Sequence, residues 1–106
     1  MRKITSESVK AFLNGDRYSN SNMYVNRYSL YLHSNLIATK KEEDIYISNA
    51  GWCSNTTKER LNGLLSMLNK RGIFQKDFIW YYCNTNNEVV KFPYNKLLNV
   101  NEIGDR

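Results

Sequence analysis

The chain has 106 residues, with 15 Lys and Arg against 10 Asp and Glu and a formal charge of +5. That length fits one domain, 1–106, and buries about two-thirds of the unfolded surface, enough for a core without staples. The 42% hydrophobic and 13% aromatic shares exclude a disordered chain, and no stretch approaches the ~20 apolar residues of a membrane span.

Met1-Arg2-Lys3-Ile4-Thr5-Ser6 lacks the apolar stretch of a secretory leader, so the expected compartment is the cytoplasm. There Cys53 and Cys83 are expected as free thiols. Neither belongs to a CxxC or Cys/His cluster, so no metal is expected and no cofactor is implied. The basic balance favours anionic partners. The charge is scattered, however, and Glu42-Glu43-Asp44 offsets Lys40-Lys41.

The first predicted element is a short helix over 6–14. Thr5 or Ser6 can cap it, Val9, Phe12 and Leu13 form its apolar face, and Ile4 can staple against Val9. Asn14-Gly15 supplies the stop, with Gly in the left-handed region. Asp16 to Asn22 is polar and reads as a loop.

From Met23 the period changes to two: Tyr28, Leu30 and Leu32 alternate with Ser29, Tyr31 and His33. His33-Ser34-Asn35 reads as a turn, with strands over 36–39 and 44–48 to follow. The result is an antiparallel meander, 23–48.

Thr56-Thr57-Lys58-Glu59 fits a capping box at the head of a main helix, 57–70. Leu61, Leu64, Leu65 and Leu68 form its buried stripe, and Lys70, Arg71 and Gly72 suit its C-terminal end. A hairpin, 78–92, completes the chain, stopped by Pro93. The tail, 95–106, is polar and is expected either to fray or to carry one weak helical turn. The fold class is therefore α+β: an antiparallel sheet of about five strands with two helices packed on it.

Catalytic chemistry finds little footing. His33 stands alone at a turn, Cys53 has no evident base, and Asp44 with its acidic neighbours reads as a solvated turn. The expectation is a chain that works by binding rather than as an enzyme.

The candidate binding residues are Trp52, Lys58, Arg60, Asn62 and Arg71 around the main helix, where Gly63 leaves room for another backbone. Tyr31 and Tyr46, with Tyr24 and Tyr81, could offer an aromatic sheet face to single-stranded nucleic acid. Trp52 has two readings: a lid over the main helix, or an anchor facing a partner.

Three segments carry a resemblance. Leu30 to Ala38, Ile45 to Trp52, and Thr56 to Asn62 resemble, in that order, small tailed-phage proteins reading "L-x-L-H-G-N-x-I-A", "x-G-W" and "T-T-x-E-R-L-N". Ser34 departs from the pattern, which has Gly there, and this leaves the turn geometry open.

The resemblance spans about residues 20–65. It implies a phage or prophage origin, and no catalytic residues carry over from it. It further implies a host-takeover or counter-defence factor, such as an anti-CRISPR protein, acting in the bacterial cytoplasm on a host protein or ribonucleoprotein complex. The alternative is a small basic protein that binds DNA or RNA directly. A homodimer, through an edge strand or the Gly63 flank, is left open by the sequence.

Overall fold

The computed structural model describes residues 1–106. Helix α1 spans Lys3–Asn14. Five strands follow: β1 (Arg17–Asn20), β2 (Met23–Asn26), β3 (Ser29–Leu32), β4 (Asn35–Lys41) and β5 (Asp44–Ile47). Helix α2, Asn55–Met67, leads to β6 (Phe74–Lys76), β7 (Ile79–Cys83) and β8 (Val89–Lys91). The chain closes with β9 (Leu98–Asn99) and a 3-10 turn, Val100–Glu102.

The expected α+β class holds, with a short first helix and a longer second one. The strands divide into two antiparallel sheets rather than one. One runs β1-β2-β3-β4-β5-β9 and the other β6-β7-β8. Two of the additional strands come from the stretches 16–22 and 73–77, expected as loop and link. Both are exposed edge strands, Arg17–Asn20 with only Tyr18 partly covered and Phe74–Lys76 with no buried residue. An edge strand with little buried surface leaves little hydrophobic alternation in its sequence.

The meander itself breaks once more than expected. Arg27, at φ 90°, turns the chain between β2 and β3. The Asn26 side chain accepts from the Tyr28 and Ser29 amides. Tyr28 therefore sits on a turn and is 66% exposed, instead of sharing the Leu30 and Leu32 face.

Both sheets and both helices share one core of 20 buried residues. Val9 and Phe12 of α1, Leu61, Leu64 and Leu65 of α2, Leu30 and Ile47 of the large sheet, and Trp80 and Tyr82 of β7 all belong to it. Burial raises the pKa of the Tyr82 hydroxyl above its ordinary value, and the Glu102 carboxylate adds to the shift.

The two helices meet through Thr5, which is fully buried. Its hydroxyl donates to Glu59 Oε1 at 2.6 Å and accepts from Arg60 Nη1 at 2.9 Å. Its methyl lies against Gly63, where an added Cβ would come within 2.3 Å. Thr5 therefore does not cap α1. That helix begins two residues before Thr5, after Arg2, which makes no side-chain cap bond. Ile4 lies inside the helix rather than ahead of it. The stop at Gly15 is as expected, with φ 76°.

The ends of α2 also differ from the expected 57–70. Its cap is Ser54, whose Oγ accepts from the Thr57 amide at 3.1 Å, and Glu59 is engaged by Thr5 of α1 rather than by a capping box. Its C-terminus closes on Asn69 at φ 59°. The Lys70 amide reaches Leu65 O at 2.8 Å and the Asn69 amide reaches Ser66 O at 3.1 Å, a Schellman closure with Asn in the left-handed position. Gly72 serves another purpose: its missing side chain admits the Asn62 carboxamide.

The tail takes the second of its two expected forms, a single helical turn, Val100–Glu102, and is packed against the rest of the chain. Leu98, Val100 and Ile103 are buried, and β9 pairs with β5 through Tyr46 and Ile47. Gly104 then threads between the two halves of the molecule. Its carbonyl accepts from the Arg71 amide and its amide donates to Cys83 O, each at 2.9 Å. Lys70 holds the end through an ion pair with Asp105 at 2.9 Å.

Candidate functional site

Three connections converge at one end of the large sheet: the β3–β4 turn, the segment after β5, and the start of α2. The segment after β5 is a tight turn. The Trp52 amide donates to Asn49 O at 2.8 Å, with Ala50 at φ 54° and Gly51 at φ 82°. Two successive left-handed residues define a type I′ turn, and only glycine takes that region without strain.

Asn49 anchors this turn from beneath and is 1% exposed. Its Oδ1 accepts from the Gly51 and Asn95 amides, both at 2.8 Å. Its Nδ2 donates to Pro93 O and Cys53 Sγ, both at 3.4 Å. Tyr94 adds a hydroxyl donated to Gly51 O at 3.3 Å. A tight turn fixed at its base leaves the next side chain outside. Trp52 is 61% exposed, which overturns the lid reading.

Beside Trp52 lies a groove of about 370 Å³. Leu32, Ile37, Asn49 and Thr57, all buried, form its floor; His33, Trp52 and Ser54 are exposed along its edge. Asn35 and Thr56 complete the lining. The volume lies near the small end of ligand pockets, about 300–1,000 Å³, and suits one inserted side chain or a small group. His33 and Ser34 have φ of 49° and 66°. This is a second type I′ turn, and it explains why glycine suits position 34.

The other expected binding residues do not join this groove. Arg60 is 2% exposed and belongs to the Thr5–Glu59 network. Its Nε also approaches Met23 Sδ at 3.3 Å. The expectation of a partner-facing Arg60 is thus wrong: helical spacing put it beside the leucines, and α1 covers that face.

Asn62 is likewise occupied, donating to Ile73 O at 3.0 Å and accepting from the Ile73 amide at 2.7 Å. Arg71 lies beyond α2, held by its amide to Gly104 and its guanidinium to Asn87. Lys58 reaches Gln75 Oε1 at 3.0 Å. With Asn62 and Gly63 it borders a shallow second hollow.

Tyr31 faces its cross-strand neighbour Tyr24, ring centroids 5.9 Å apart. Tyr46 shares their face by alternation, with Lys41 Nζ 5.8 Å from its ring. Tyr81 is on the other sheet, so the four tyrosines do not form one surface.

Sequence reasoning missed Asn49 as the organiser of the groove. The signal was present in the Asn-Ala-Gly order at a strand end, a turn with a side-chain acceptor two residues before its glycine. Cys53 is exposed, Cys83 is buried, and both are free.

All three segments that carry the phage-like resemblance contribute to the groove: Leu32 to Ile37 from the first, Asn49 and Trp52 from the second, Thr56 and Thr57 from the third. Comparison with family models gives the same class, a phage protein. The matching model is described as Kyanoviridae Gp96 protein; it covers residues 1–101, and the chain belongs to that family. The match takes in both sheets, well beyond the segment 20–65 that carried the resemblance. No curated protein and no solved structure matches the chain. No helix is long and apolar enough to cross a membrane.

Proposed function

We propose that this phage protein is a non-enzymatic accessory factor that binds a protein of a bacterial host or defence complex through the Trp52 groove and inhibits that complex. The observation that carries the reading is the 61% exposure of Trp52 on a turn locked from below by a buried Asn49. Tryptophan is enriched among interface residues that dominate binding energy, and a rigid support lowers the entropy lost when it docks. The adjoining groove, with an imidazole and hydroxyls at its edge, accepts a side chain from the partner.

Affinity capture from host lysate tests this, with nuclease-treated and untreated samples run alongside Trp52→Ala. The expected outcome is a host protein retained by the native chain in both samples and lost by a Trp52→Ala variant with an unchanged circular dichroism spectrum. Equal retention by the two chains refutes the groove as the docking site. The captured complex, an anti-CRISPR-type target included, is then assayed for inhibition by the native chain. Nucleic-acid binding, the other expectation from the +5 charge, is a separate reading that this capture does not test.

A further inference from the structure

The outer face of the β6–β7–β8 sheet carries aromatic and basic side chains together. Register places Phe74, Tyr81 and Lys91 in one row across its three strands. The next row holds Lys76 and Ile79. Strand geometry spaces such rows about 7 Å apart.

The Phe74 and Tyr81 rings stack with centroids 5.8 Å apart and planes 25° apart. Phe74 is 40% exposed, and Phe78 on the adjoining hairpin turn is 92% exposed. Asp77 and Phe78, at φ 52° and 67°, hold that hairpin in a tight turn. At the tip of that turn Phe78 is left almost wholly uncovered by its own hairpin. Neither Lys76 nor Lys91 is in an ion pair; the chain's two pairs are Arg60–Glu59 and Lys70–Asp105. By alternation, no acidic side chain shares the strand positions of this face.

We propose that this face binds single-stranded nucleic acid, with bases stacking on the Phe74–Tyr81 pair and Phe78, and phosphates meeting Lys76 and Lys91. Two observations favour this occupant over a second copy of the chain. The near-parallel rings, Phe74 exposed and Tyr81 half-buried, offer π surface on which bases of any sequence stack. The charged side chains at the strand positions of this face are both lysines, with Asp77 set apart on the adjoining turn: two lysines attract a polyanion and repel their own copies in a symmetric dimer. The Tyr24–Tyr31 pair on the large sheet has aromatic rings as well, but the Phe74–Tyr81 row ends directly on a lysine.

Fluorescence anisotropy of a labelled twelve-nucleotide oligo(dT) and its oligo(U) counterpart with the full chain, from 50 to 200 mM salt, tests the proposal. The expected result is binding that weakens with salt. Phe74→Ala/Tyr81→Ala should lower affinity about ten-fold or more, and Lys76→Gln/Lys91→Gln should flatten the log–log salt slope by about 1.4. Tyr24→Ala/Tyr31→Ala should change neither.

The lysine variant involves two exposed, unpaired side chains and keeps the test valid if the aromatic variant folds poorly. Absence of binding by the native chain at 50 mM salt overturns the proposal. So does an unchanged salt slope in the lysine variant, or a loss confined to the Tyr24/Tyr31 variant. Sedimentation of the native chain as a dimer that Phe74→Ala/Tyr81→Ala converts to monomer, with no oligonucleotide bound, assigns the face to self-association instead. None of these outcomes bears on host-protein capture through Trp52.

Discussion

Arg60 and Trp52 flank the start of the same helix, yet Arg60 is 2% exposed and Trp52 is 61% exposed. Both residue types are common where proteins bind one another. In this fold the arginine is internal wiring between α1 and α2, and the tryptophan is held out on a turn whose polar groups are satisfied from beneath. The comparison teaches that a residue type associated with interfaces counts toward a binding surface only after the neighbouring element has been placed. A guanidinium bonded to Thr5 and Glu59 has little left to offer a partner.

The difference can be broken by substitution, beginning with the largest effect. Arg60→Ala should lower unfolding stability by about 3 kcal/mol, because it strips the Thr5–Glu59 pair of its buried donor. Urea unfolding measures this, and a loss below about 1 kcal/mol would remove the assigned structural role. Asn49→Ala should lose about 2 kcal/mol, since the Gly51 and Asn95 amides lose their shared acceptor. It should also weaken partner capture, because the Trp52 turn loses its anchor.

Smaller effects sharpen the comparison. Ser34→Gly should gain about 0.5 kcal/mol, the relief of a left-handed serine partly offset by the greater freedom of glycine in the unfolded chain. A thermal melt showing destabilisation would contradict the turn assigned at His33-Ser34. Trp52→Ala should change stability least, within about 0.5 kcal/mol, as surface substitutions do, while abolishing capture. A large stability loss in Trp52→Ala would return the indole to a packing role.

Much of the framework was legible without coordinates. The leucine stripe of α2, the Gly15 stop, the meander from 23 to 48 and the turn at His33-Ser34 all follow from period and turn chemistry. The errors share a physical origin. Edge strands β1 and β6 hide because they bury little, so their sequences look like loops. The capping box suggested by Thr56 and Glu59 does not form, because Glu59 bonds instead to Thr5 across the helix interface and to its neighbour Arg60. The tail looked free because Leu98, Val100 and Ile103 are separated by polar residues and find their cover only in other elements.

The candidate site divides in the same way. Trp52 was legible as a residue of interest, and so was its position between a strand end and a helix start. Arg60 and Asn62 were not distinguishable from it, because helical spacing says which residues share a flank but not what lies against that flank. The aromatic row of Phe74, Tyr81 and Lys91 was invisible for a related reason: its members come from three strands, and register alone brings them together.

The sequence by itself determined the α+β class, the two helices, the leucine core and the phage-like character of three segments, because those depend on local periodicity, turn residues and ordered motifs. Tertiary structure alone decided that Arg60 is buried, that Trp52 is presented, that Asn49 organises the turn beneath it and that the tail completes the large sheet. Burial and hydrogen-bond satisfaction are properties of surfaces meeting, and the surfaces that meet here are distant in the chain.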